Sequence, residues 1–219
     1  MDEYQSIIAT IALTMGTAWA SGINLYATLA ILGILGSTGN IVLPEGLLLL
    51  QEPVVIIAAC TMYAVEFFAD KTPGVDTGWD TIHSFIRIPA GVILAAGAVG
   101  EVNPAFSVAA GILGGTVSAT SHMLKAGSRI LINSSPEPFS NWTASVAEDV
   151  AVVGGLWVAL HHPMTFLLLF IVFIVVAIWL LPKIWRGICL LFTKIKRFFA
   201  KDRIPEATMH DEIKQLGRR

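Results

Sequence analysis

Charge is what this chain has least of. Asp, Glu, Lys and Arg make up 14% of its 219 residues, against roughly 25% in a soluble domain. Apolar residues make up 55%, and the mean hydropathy is +0.72. That deficit excludes a soluble enzyme and a disordered chain. A basic face is missing too. The formal net charge is −2, and neutralising phosphates needs a positive surface, so no nucleic-acid partner is expected. Cysteine is scarce. Cys60 and Cys189 stand far apart inside apolar runs, with neither metal-ligand spacing nor a disulfide framework. They read as buried small hydrophobes. Met1-Asp2-Glu3 supplies no basic leader, so the first apolar segment is expected to stay in the membrane. No cofactor is expected.

What remains is a series of long apolar runs. A span needs roughly 20 such residues. Candidate spans run over residues 53–70, 79–100, 105–132, 142–160 and 165–181, after a first uncharged stretch from Ile7 to Gly36. As one helix, that first stretch would be about 45 Å long, against a hydrocarbon core of about 30 Å. It therefore tilts steeply, protrudes or breaks. A break falls naturally at Ser21-Gly22-Ile23-Asn24, and broken helices persist in membranes only where they face protein or a wet cavity. The fold class is an all-α, polytopic membrane helix bundle of about six transmembrane helices. Residues 1–182 form the transmembrane domain.

Ten of the fourteen Lys and Arg residues lie between Lys183 and Arg219. In a six-span path the other four, Lys71, Arg87, Lys125 and Arg129, fall on that same side. The positive-inside rule makes it cytoplasmic. Both termini are then cytoplasmic, and the chain belongs in the inner (plasma) membrane. Residues 183–201 alternate basic and apolar side chains, an amphipathic helix suited to anionic lipids. A polar cytoplasmic tail, 202–219, follows.

Ionisable residues inside a membrane are costly and are functional candidates by default. Glu66 and Asp70 share a helix face, four residues apart. Asp76, Asp80, His83 and Arg87 form one stripe at the start of the next helix, with Pro89 as a kink point and re-entrant geometry open around 77–91. His122, Lys125 and Arg129 form another. Glu148 and Asp149 lie about two turns into the fifth helix and need partners, with Lys125 or Arg129 as candidates. Asn24 is the polar residue of the first stretch. These twelve are the candidate ion- or substrate-binding residues. The metal, if any, is unspecified.

A shift of 63 residues aligns Pro73 with Pro136, Trp79 with Trp142, Gly91 with Gly154 and Ala96 with Ala159. The shared unit is a helix, a Pro-containing loop, a Trp and a helix: a weak internal two-helix repeat. Charge signs swap between the copies. Glu66 falls on Arg129, and Arg87 falls beside Glu148 and Asp149, so opposite charges are expected to meet across a pseudo-twofold axis. Transporters often place their site between such repeats.

Certain polar motifs occur in order: Ser21-Gly22-Ile23-Asn24-Leu25-Tyr26, Glu66-Phe67-Phe68-Ala69-Asp70-Lys71, Phe85-Ile86-Arg87 with Pro89-Ala90-Gly91, and Ser135 to Trp142 leading to Glu148-Asp149. Over residues 15–163 the chain resembles a family of bacterial multi-span membrane proteins known as domain of unknown function 4126. The resemblance implies an inner-membrane protein and no substrate. Glu66 to Thr72 also looks like the Glu-x-Gly-Asp-Lys-Thr motif of cation/proton exchangers, with one extra residue and Ala69 in the glycine place.

The leading functional expectation is a transporter or channel for a small ion or solute, linked to a cation or proton through Glu66 and Asp70. His83 would assist proton transfer, and Arg129 would compete for the carboxylates. The alternatives are a non-transport scaffold, whose charges serve as interhelical pairs, and a lipid-headgroup-handling protein with Arg87, Lys125 and Arg129 on phosphate. No Ser-His-Asp or His-Glu-x-x-His arrangement supports a hydrolase. A homodimer would help so small a bundle enclose a pathway.

Overall fold

The computed structural model describes residues 3–72, 74–100, 104–134 and 138–201. Pro73, Pro136 and the tail 202–219 lie outside the described residues. All the regular elements described are helical: α1 (Glu3–Ile23), α2 (Leu25–Ser37), a 3-10 helix (Glu45–Gln51), α3 (Pro53–Ala69), α4 (Val75–Ala98), α5 (Pro104–Asn133), α6 (Pro138–His161) and α7 (Pro163–Lys201). Proline opens α3, α5, α6 and α7, where its missing N–H costs nothing and its φ is already helical. Gly74 and Gly100 bracket α4 with φ of 87° and 73°, backbone that L side chains avoid.

The burial pattern is inside-out. Ile82, Phe85, Ile93, Phe106, Ile112, Leu168 and Trp179 are exposed, while Glu66, Asp76, Asp80, Arg87 and Arg129 are all but completely buried. In water that arrangement would cost stability twice; in lipid it is the expected one. The protein is thus a membrane helix bundle. Cys60 and Cys189 are exposed, contrary to their expected burial, because they sit on the outward faces of α3 and α7.

By length and hydropathy α1, α4, α6 and α7 can each cross a membrane. The 3-10 helix with α3, bent by 71°, makes a fifth. The expected six is not reached on that measure. The long helix α5 is less apolar and is packed along α4 by small residues. A Cβ on Gly114 would come 2.2 Å from that of Ala95, and one on Gly91 would come 2.4 Å from that of Ser118. Close backbone approach of this kind is how membrane helices associate.

The first apolar stretch is broken at Asn24, whose φ of −144° and ψ of 98° are extended. The two halves then form a hairpin. Leu13 of α1 and Leu32 of α2 share one core cluster with Leu94 and Ala98, near the end of α4. Gly22 instead lies against Ser118 and Ser121 of α5, and Tyr26 bonds His83, low on α4. The chain therefore runs along α1, turns at Asn24 and folds back along α2. Ile184 and Gly187 of α7 pack beside Gly127 and Leu131, near the end of α5.

Two further differences follow from proline. Pro89 sits inside an unbroken α4, so residues 77–91 run on as one helix and form no re-entrant element. Pro182 lies inside α7, so the basic stretch 183–201 continues the last span as one helix of about 58 Å.

Candidate functional site

The hairpin apex sits where the charges are. Arg87 lies about 18 Å from the start of α4 and about 16 Å from its end, close to the middle of that helix. Every partner it has is on another turn or another helix. Its guanidinium bonds Glu66 of α3, donates to Asp80 Oδ1 at 3.0 Å and donates to His122 Nδ1 at 3.2 Å. That leaves the His122 Nε2–H for Ser84 Oγ at 2.7 Å.

Lys125 is the hub. Its Nζ lies 2.5 Å from Asp70 Oδ2, 3.5 Å from Glu66, 3.8 Å from Asp80 and 3.9 Å from Glu148. It also donates to the carbonyl oxygen of Ile23 at 3.0 Å. That carbonyl is freed by the break and sits at the negative end of the α1 dipole. Arg129 completes the cluster. It donates to Glu148 Oε2 at 2.6 Å and to the carbonyls of Asp70 and Asn141 at 3.1 and 3.0 Å.

Around this core sit three supporting pairs. Asn24 accepts from the N–H of Ala27, capping α2, and donates to Asp149 Oδ1 at 3.0 Å. Lys71, in the turn after α3, faces Asp149 at 3.9 Å and lies over the Phe67 ring. Burial pulls the Lys71 ammonium below its ordinary value, while Asp149 and Asp70 pull the other way. Asp76 takes the N–H groups of Gly74 and Thr77 and both its oxygens meet Asn133, tying the start of α4 to the end of α5.

The twelve expected residues are therefore close neighbours, with changed roles. His83 does not bond a carboxylate: Nδ1 donates to the Trp79 carbonyl and Nε2 accepts from Tyr26. His122 is the histidine in contact with the cluster. Arg129 meets the Asp70 backbone and not its carboxylate; Lys125 is the cation there. Arg87, Lys125 and Arg129, expected on phosphate in the lipid alternative, are spent on carboxylates. Glu148 does pair with Arg129 and Lys125, while Asp149 turns to Lys71 and Asn24. The swapped charges pair within each copy of the repeat, Glu66 with Arg87 and Arg129 with Glu148, and not across an axis. Trp79 stacks on His83 at 4.3 Å, whereas Trp142 is exposed, so the two aligned tryptophans differ in role.

Sequence reasoning missed Ser84, Asn133 and Asn141. A signal existed for Asn141: with Ser145 and Glu148 it forms a stripe at spacings of four and three, the polar pattern already used on α4 and α5. Among the described residues no three His, Cys, Asp or Glu side chains are arranged to hold a metal ion.

Residues 11–183 match the family described as Domain of unknown function (DUF4126). The chain belongs to that family. The DUF4126 region takes in the break, all four charged helices and the last span, which the motif resemblance had left outside. No curated protein and no solved structure matches the chain.

Proposed function

We propose that this DUF4126 protein is a membrane carrier in which the Lys125 cluster takes up one proton, coupled to a small solute. The observation that carries it is a charge count. Glu66, Asp70, Asp80 and Glu148 pair with Arg87, Lys125 and Arg129, four carboxylates against three cations, and the adjoining Lys71–Asp149 pair leaves that excess of one unchanged. One negative charge is left over at mid-membrane, where an uncompensated ion is very costly. A proton taken up and released there relieves and restores that charge. Glu66 Oε2, Asp70 Oδ1 and Asp80 Oδ2 have no hydrogen-bond partner among the described residues, so each has room for the proton. The broken helix supports the same reading, since half-helix ends meeting near the midplane are the common site of ion and substrate binding in carriers. The basic side of the bundle is cytoplasmic in this proposal, with the 183–201 stretch on anionic lipid.

Proteoliposomes containing a pH dye test it. An imposed solute or cation gradient should move protons with wild-type protein. Asp70→Asn leaves three carboxylates against three cations, so it should fold normally and show background flux. Full flux from Asp70→Asn would remove the proposal. The scaffold reading has one observation in its favour, that every cluster cation is paired, and it expects no flux from any well-folded form.

A further inference from the structure

Resting on that carrier reading, we infer that a crevice beside the cluster is the solute site and takes an organic ammonium ion with an apolar body. The crevice holds about 240 Å³ and is lined by Ile23, Ser121, Leu124, Lys125, Ser128, Glu148, Phe173 and Leu180. It lies where the end of α1 meets α5, α6 and α7. Its polar groups are mostly acceptors. Glu148 keeps 19% of its side chain accessible, and its Oε2 accepts from Arg129, which leaves Oε1 for a ligand. Ser121 and Ser128 donate their hydroxyl protons to the carbonyls of Val117 and Lys125, so each can offer a ligand only a lone pair. The α1 C-terminus adds the negative end of a helix dipole.

Lys125 is the one donor in this wall, and it is already shared among four carboxylates and the Ile23 carbonyl. Together the cluster and crevice retain the surplus negative charge, which selects a cation over an anion. Leu124, Leu180 and Ile23 supply apolar walls. The Phe173 ring, held edge-on to Trp19 with centroids 6.2 Å apart, supplies a face for a cationic head. An ammonium N–H donates to Glu148 and the serines while the body lies against the leucines. Binding there competes with the proton for the same surplus charge, which is how a cationic solute and a proton would be exchanged.

Calorimetric titration of the purified protein in lipid nanodiscs tests the site. Phenethylammonium should bind saturably, and 3-phenylpropionate, similar in size and opposite in charge, should not. Ser128→Leu fills the crevice without touching the cluster and should weaken the ammonium about tenfold or more, the scale of a lost hydrogen bond to a charged group. Glu148→Gln should do the same. Equal binding of the anion, no saturable binding by folded wild type, or unchanged binding by Ser128→Leu would each overturn the inference. Proton flux without ammonium binding removes the site and keeps the carrier reading. Ammonium binding without flux keeps the site and removes the carrier reading.

Discussion

Arg87→Leu will not accumulate as folded protein. The change strands Glu66 and Asp80, both fully buried, and removes the cation that bonds them. Breaking a buried charge pair in this way costs about 3–5 kcal/mol, a large part of the roughly 5–15 kcal/mol that holds a typical protein together. Lys125, 3.5 Å from Glu66 and 3.8 Å from Asp80, offsets only part of the loss, because it sits closest to Asp70 at 2.5 Å. The informative companion is the triple variant with leucine at 66, 80 and 87. Replacing a buried ion cluster by apolar side chains is often neutral or stabilising, so the triple variant should recover the expression and monodisperse elution that the single one loses. It also leaves Asp70 and Glu148 against Lys125 and Arg129, a balanced set with no place for an extra proton. Recovered folding with no proton flux is the expected pair of results. Wild-type flux from the triple variant would mean that these three charges serve the fold alone.

The helices were legible because their signals are local. Apolar runs, N-terminal prolines and two positive-φ glycines mark the elements, and the stripe 76-80-83-87 marks the buried face of α4. The break at Asn24 was legible as an irregularity: a glycine, a serine and an asparagine together in an uncharged stretch too long for the bilayer. Its direction was not. Hydropathy is the same whether a chain continues past a break or folds back, so the hairpin depends on packing, such as the core cluster that Leu32 and Leu94 share, that composition does not encode. The same holds for pairing. Periodicity put Glu66, Lys125, Arg129 and Glu148 on inward faces, but their partners depend on helix depth. A difference of one helical turn decides between Asp70 meeting Lys125 and meeting Arg129.

That dependence on depth makes Gly22 the most consequential small residue in the molecule. A Cβ there would lie 2.3 Å from the carbonyl oxygen of Ser118 and 2.7 Å from the Ser121 hydroxyl. The first obstacle is backbone and cannot rotate away. Gly22→Val must therefore push the tip of α1 off α5. Overpacking of this kind costs about 1–3 kcal/mol or more, and the displaced group is the one that matters: Ile23, whose carbonyl accepts from Lys125, is the next residue. Pulling it away frees Lys125 to sink further into its carboxylates and unseats Asn24 from Asp149. The expected result is a marked drop in thermal stability together with loss of proton flux, including in the fraction that still folds. Gly154→Val is the control. A Cβ there meets nothing within 4 Å, so stability should change by no more than about 0.5 kcal/mol and flux should be unaltered. Gly91, which the repeat aligns with Gly154, is wedged against Ser118, so the two copies have diverged in what their glycines hold. If Gly22→Val folds and transports as well as Gly154→Val, the hairpin tip plays no part in placing Lys125, and the carrier reading loses its structural support.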